Sequence, residues 1–136
     1  MKEIKKNLAV LVIDDEEGFR NLLHWELSGR GIHVETAQNG CEGIEMAARR
    51  KFDVIITDLT MPEMDGLTLL RKIKATAPET EVILVSGFSA VDTAVYAMKH
   101  GAFDFVLKPY DVEHLMARVC QAVERLSCGS CRRSLP

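Results

Sequence analysis

Three aspartates, a serine and a lysine each close an apolar run in this chain. In LAVLVIDDE, Asp14 and Asp15 follow the run; in FDVIITDLTMPEMDG, Asp58 follows Val54-Ile55-Ile56-Thr57. Ser86 ends EVILVS and Lys108 ends FDFVLK. If these groups meet, two carboxylates about 4 Å apart repel by roughly 4 kcal/mol at an effective dielectric of about 20. One ammonium cannot neutralise three acids, so the set calls for a further cation. Oxygen donors with few carboxylates, and room for water and phosphate, suit Mg²⁺. A carboxylate nucleophile, a Lewis acid, a hydroxyl donor and a cation together suit phosphoryl transfer onto Asp58, where catalysis is mostly positioning and charge neutralisation.

The elements around these residues decide whether they meet. Strand-length apolar runs cover Leu8 to Ile13, His33 to Ala37, Val54 to Thr57, Val82 to Ser86 and Asp104 to Leu107. The first, third and fourth are almost continuously apolar, as strands covered on both faces are. The second is shorter and more polar, which predicts an edge. Helical spacing follows each strand. It marks Phe19, Leu22, Leu23 and Leu27, then Asn39 to Arg50 with Ile44, Ala47 and Ala48, then Leu67, Leu70 and Ile73. A weaker stripe, Val91, Ala94, Val95 and Met98, runs within Ser89 to His100; the clearest is Val112, Leu115, Met116, Val119, Val123 and Leu126. Gly31, Gly40, Pro78 and Gly101 punctuate the breaks.

Alternating strands and helices imply an α/β fold: a doubly wound, five-stranded parallel sheet with helices on both faces. The strand order 2-1-3-4-5 is taken from the common open sheet of this kind, not from the residues. In such a sheet ligands bind beyond the carboxyl ends of the strands where the order reverses, here between strands one and three. Asp14, Asp15 and Asp58 would meet there, with Ser86 and Lys108 facing the same cleft.

The chain has 136 residues, 47% hydrophobic and 27% charged, which fits one soluble domain able to bury a core. The domain is expected over residues 1–126, with 127–136 a flexible tail or the start of a linker. A net charge of −3 argues against direct nucleic-acid binding. No apolar run approaches the roughly 20 residues of a membrane span. The basic, then apolar, N-terminus is too short and too acidic at its end for a signal peptide. Of the cysteines Cys41, Cys120, Cys128 and Cys131, the last two form a lone CxxC in the tail, short of the ligands a zinc site needs.

Taken in order, Asp14-Asp15, Asp58 with LTMPEMDG after it, Ser86 and Lys108-Pro109 resemble the receiver domain of bacterial two-component response regulators, over residues 8 to about 126. GAFDFVLKPY is similar to receivers of the enhancer-binding transcription-activator class. The resemblance implies the flavodoxin-like receiver fold and a cytoplasmic signalling domain. Its catalysis would be limited to its own phosphorylation and dephosphorylation. Asp58 would accept the phosphoryl group from a sensor histidine kinase or a phosphotransfer protein. Asp15, Asp58 and the backbone carbonyl of Thr60 would hold Mg²⁺, with Asp14 acting through a water. Lys108 would pair with the phosphoryl oxygens, and Ser86 would hydrogen-bond them and be drawn inward. Phe105 sits at the aromatic switch position, and Lys108-Pro109 at a peptide bond usually cis in the family. Thr60 and Phe88 flank the path of the hydrolytic water, and bulky Phe88 is expected to lengthen the phosphoryl lifetime. The fourth helix, fifth strand and fifth helix would form the output surface and the face of a homodimer, with no direct nucleic-acid or membrane contact by this domain.

Two other functions compete. Phosphohydrolases with an aspartyl nucleophile use a similar sheet, but generally carry a second Asp two residues later, where this chain has Thr60. A nucleotide or flavin binder would want a glycine-rich loop after the first strand, where Asp14-Asp15 would repel phosphate. Local readings compete too. Asp58 could be a helix cap or a surface acid, Asp14-Asp15 a helix cap, Lys108 a solvated loop residue and Ser86-Gly87 an ordinary turn. Phe105 is expected to pack partly in the core even if it switches. Asp65-Gly66 reads as turn and helix-start chemistry; Trp25, His24, His100 and His114 read as surface or packing residues.

Overall fold

The computed structural model describes residues 8–59, 64–87, 91–108 and 111–127, excluding the side chains of 91 and 125–127. Five strands alternate with five helices: β1 (Ala9–Ile13), α1 (Glu17–Ser28), β2 (His33–Ala37), α2 (Gly40–Arg49), β3 (Val54–Asp58), α3 (Gly66–Thr76), β4 (Glu81–Ser86), α4 (Val91–Lys99), β5 (Asp104–Leu107) and α5 (Val112–Ser127). All strands are parallel, in the order β2-β1-β3-β4-β5. The expected fold class, strand order and polar edge at β2 are therefore present.

Side chains alternate between the two faces of a strand, and the sheet splits its apolar residues accordingly. Val10, Val12, Val54, Ile56, Ile83, Val85 and Val106 pack with Leu23 and Leu27 of α1 and with Leu115, Met116, Val119 and Val123 of α5. Ala9, Leu11, Ile13, Ile55, Val82 and Leu84 pack on the other face with Leu69, Leu70 and Ile73 of α3 and Ala97 of α4. Every residue of β1, β3 and β4 is buried, which is why those runs have no polar alternation. Each fully buried Leu, Ile or Val contributes about 1.5–3 kcal/mol relative to exposure.

Three helices sit differently from their apolar patterns; in α2, Ile44 and Ala47 are half-buried as expected but Ala48 is exposed. Leu22 was expected in the stripe of α1 but is 38% exposed, because Leu23 and Leu27 already fill the contact with the sheet. In α4, Val95 and Met98 were expected inward but are both 47% exposed. The buried position is Ala97, with Thr93 and Ala94 half-buried beside it, so a seam of small residues faces the sheet and turns the larger ones out. The stripe of α5 holds from Val112 to Val123; the side chains of Leu126 and, in α4, Val91 lie outside the described residues.

Two glycines permit close approach. A Cβ on Gly43 of α2 would come within 2.4 Å of Ile13 Cδ1, so the helix lies directly on β1. A Cβ on Gly66 would lie 2.6 Å from Leu59 Cα and 2.9 Å from the Asp58 carbonyl oxygen, so α3 starts against the segment leaving β3. Asp65 caps that helix by accepting the Thr68 N–H, as its turn and helix-start chemistry predicts.

Candidate functional site

Strand register brings the distant residues together. Ile13 pairs with Thr57, which sets Asp14 beside Asp58 at the ends of β1 and β3. Asp58 pairs with Val85, which puts Ser86 one step on, and Ser86 pairs with Leu107, which puts Lys108 one step beyond that. Backbone bonds continue the ladder past these ends. The Asp14 N–H donates to the Ala37 carbonyl at 3.1 Å, Leu59 to Val85 at 2.8 Å and Lys108 to Ser86 at 2.7 Å. Alternation then sorts the side chains. Asp14, Asp58 and Lys108 continue the series that faces α1 and α5, whereas Ser86 and Phe105 continue the series that faces α3 and α4.

Carboxylate oxygens of Asp14, Asp15 and Asp58 lie within 4.8 Å of one another. Asp14 and Asp58 are only 6% and 8% exposed, while Asp15 opens to solvent. Lys108 Nζ sits between them, 3.6 Å from Asp14 Oδ2 and 3.7 Å from Asp58 Oδ2. Burial pushes the Asp14 carboxyl above its ordinary value, against the pull of the Glu16 N–H and of Lys108. The same carboxylate accepts that N–H at 2.9 Å in a local turn ahead of α1; the N-cap of that helix is Glu16, which makes no side-chain cap bond, so Asp14 does not cap it. Lys108 is not a solvated loop lysine, its side chain being 17% exposed, and Ser86 is fully buried at the end of β4, not in an open turn. Phe105 is half-buried against the second apolar face, as expected.

The donor set fits a hard divalent ion: three carboxylates converge, one ammonium neutralises part of their charge, and no sulfur or imidazole is among them. Thr60, Phe88 and Pro109, expected at the metal, beside the hydrolytic water and at the cis peptide, lie outside the described residues, as do Cys128 and Cys131. Cys41 and Cys120 are free thiols.

Two contributors escaped the sequence reading. The Phe19 ring lies under the Lys108 ammonium, with Nζ 4.2 Å from its centroid. Arg20 donates to the Asp14 carbonyl oxygen at 2.7 Å, tying the end of β1 to α1. Both follow Asp14-Asp15 at helical positions, but the 89-residue separation of Phe19 and Lys108 leaves no local signal for their contact.

Fold and site define a class: a doubly wound parallel sheet with an acidic pocket and a lysine at its topological switch point. Known proteins of that class match this chain. The family model of the response regulator receiver domain covers residues 10–120. The transcriptional regulatory protein ZraR of Escherichia coli O157:H7 is 38% identical over 117 residues, 86% of this chain and 26% of that protein. The DNA-binding transcriptional regulator NtrC of Escherichia coli (strain K12) is 40% identical over 114 residues, 84% of this chain and 24% of NtrC. Among solved structures, a response regulator receiver domain protein from Clostridium thermocellum superposes with a TM-score of 0.82 at 35% identity, covering 87% of this chain and 95% of that one. The beryllofluoride-activated NtrC4 receiver domain dimer gives a TM-score of 0.83 at 37% identity, covering 87% of this chain and 98% of that one.

The chain belongs to the response regulator receiver domain family, the phosphorylation-dependent signalling domain of two-component systems. Its NtrC and ZraR relatives match the activator-class resemblance of GAFDFVLKPY, and the phosphohydrolase alternative finds no support among them. The chain spans about a quarter of the length of these two curated relatives. Among the described residues, no helix is long and apolar enough to cross a membrane.

Proposed function

We propose that Asp58 is the phosphoacceptor and that this chain passes a sensor kinase's signal to an output surface. The observation that carries the reading is the meeting of Asp14, Asp15 and Asp58 within 4.8 Å, with Lys108 Nζ 3.7 Å from Asp58. A carboxylate oxygen of Asp58 attacks the donor's phosphorus, and the phosphorus–nitrogen bond to a kinase or phosphotransfer histidine breaks. Lys108 stands where an added phosphoryl oxygen needs a counter-charge. Asp15, Asp58 and the Thr60 carbonyl would hold Mg²⁺, with Asp14 acting through water. The ion would supply Lewis-acid polarisation of the phosphoryl group and offset the crowded negative charge. Catalysis is confined to the domain's own phosphorylation and dephosphorylation.

Phosphorylation adds about −1.5 to −2 charges, by analogy with other phosphoresidues. Ser86 moves to hydrogen-bond the new oxygens. Phe105, on the same sheet face, repacks with it, shifting the population between two packings. The surface that changes is that of α4, β5 and α5, where Val95, Tyr96, Met98 and Leu107 are already exposed. That apolar exposure also favours a homodimer through this face. The receiver unit is taken as residues 1–126, with 127–136 a tail or linker, working in the cytoplasm without direct nucleic-acid or membrane contact.

Intact mass after acetyl phosphate and Mg²⁺ tests the reading. One phosphate adduct is expected, absent in Asp58→Asn; an adduct that survives the substitution would sink it. Phe88→Ala should shorten the adduct's half-life by opening the path of the hydrolytic water, and an unchanged half-life would remove that role for Phe88.

A further inference from the structure

Lys108 is held from three directions. Its Nζ lies 3.6 Å from Asp14 Oδ2, 3.7 Å from Asp58 Oδ2 and 4.2 Å from the Phe19 ring centroid. Both carboxylate distances exceed the roughly 2.7–2.9 Å of a charge-assisted hydrogen bond, so neither acid clamps the ammonium alone. The ring distance is well inside the approximately 6 Å over which an aromatic face attracts a cation. Only 17% of the lysine side chain is exposed, and desolvation strengthens that attraction.

We propose that Phe19 is a positioning residue whose ring face holds the Lys108 ammonium beside Asp58. The part this plays in phosphoryl transfer rests on the receiver reading above. A lysine head on a four-carbon stem is mobile unless something fixes it. The two acids fix it while they carry full charge. Their hold on the lysine would weaken once Asp14, Asp15 and Asp58 shared their charge with a bound divalent ion. The ring carries no formal charge and is no ligand for the ion, so its hold persists. Phe19 therefore matters most in the metal-loaded state. Its placement is firm because the next residue, Arg20, donates to the Asp14 carbonyl oxygen at 2.7 Å and anchors this turn of α1 to the end of β1.

A merely space-filling Phe19 and a cation-holding one separate experimentally. Phe19→Leu keeps an apolar side chain and loses the ring face; Phe19→Tyr keeps both. In the full chain, the Lys108 Cε protons should resonate upfield from the ring current, with and without Mg²⁺, in the wild type and in Phe19→Tyr. In Phe19→Leu they should return to the position of a free lysine. Phosphorylation by acetyl phosphate with Mg²⁺ should slow by about three- to tenfold in Phe19→Leu and stay within about twofold of wild type in Phe19→Tyr. Phe19→Met repeats the loss should the leucine variant fold poorly. A lysine shift insensitive to Phe19→Leu, a wild-type shift abolished by Mg²⁺, or a Phe19→Leu rate equal to wild type would overturn the proposal. A wild type that shows the ring shift but takes no phosphate would uphold the contact and overturn the receiver reading instead.

Discussion

Acids are buried at both ends of this sheet, and they do different work. At the amino ends, Asp53 is 8% exposed and Glu81 5%. Asp53 accepts the Ala9 N–H at 2.9 Å through its carboxylate, while its own N–H donates to the Ala9 carbonyl at 2.8 Å. Thr80 donates to the Phe52 carbonyl at 2.8 Å, and Lys74 donates to the carbonyls of Pro78 and Thr80. Side chains there close backbone bonds where the strands begin. At the carboxyl ends, three acids instead face one another around a single described ammonium. Burial of a carboxylate is common to both ends, so burial alone does not mark a site. What separates the ends is the crowding of three carboxylates within 4.8 Å at one of them.

Substitution at the two ends should therefore have opposite consequences. Asp58→Asn should abolish the phosphate adduct while leaving the urea midpoint equal or higher. Asp53→Ala should lower stability by about 1–3 kcal/mol, because it leaves the buried Ala9 N–H unmatched, yet permit phosphorylation of the folded fraction. The reverse pattern would show that the acids at the two ends do not differ in role. Gly66→Ala should cost about 1–3 kcal/mol through overpacking against rigid backbone. Gly43→Ala, which meets the movable end of Ile13, should cost less in the same urea titration.

Asp14 makes stability at the carboxyl end of the sheet depend on pH. Burial raises its folded carboxyl above the ordinary 3.8, so ionising it opposes folding. That penalty is absent below the ordinary value and grows as pH rises through the folded one. Asp14→Asn, which cannot ionise, should be the more stable protein at neutral pH in EDTA, and the gap should close on acidification. A gap that widens in acid would contradict this. The smallest effect is expected at Glu35, whose carboxyl is held below its ordinary 4.5 by the His33 hydrogen bond and by Arg50. Its stabilisation is present above the ordinary value and lost as pH falls through the lowered one. Exposed pairs of this kind contribute under about 1 kcal/mol, so Glu35→Gln should barely move the neutral-pH midpoint.

Much of this was legible in the chain. Runs such as AVLVI and VIITD are of strand length and read as strands covered on both faces, and the charges that end them mark the rim of the sheet. Less legible was anything that depends on how a helix rolls. Leu22, Val95 and Met98 fit apolar stripes yet point outward, because Leu23 and small Ala97 set the actual contact lines. Asp53 gave no warning either: an acid between Phe52 and Val54 looks like a loop residue until β1 lies beside it. Phe19 reaches Lys108 only because α1, packed on β1 and β2, begins beside the cleft into which the lysine extends from the end of β5.

The bonds from Leu59 to Val85 and from Lys108 to Ser86 have a mechanical consequence. They rivet the main chain on both sides of Ser86, so neighbouring strands cannot slip past each other there. Information leaving this end of the sheet must travel as rotamer changes and tilting helices, and the Leu59 and Lys108 amides should stay protected from deuterium exchange in both signalling states.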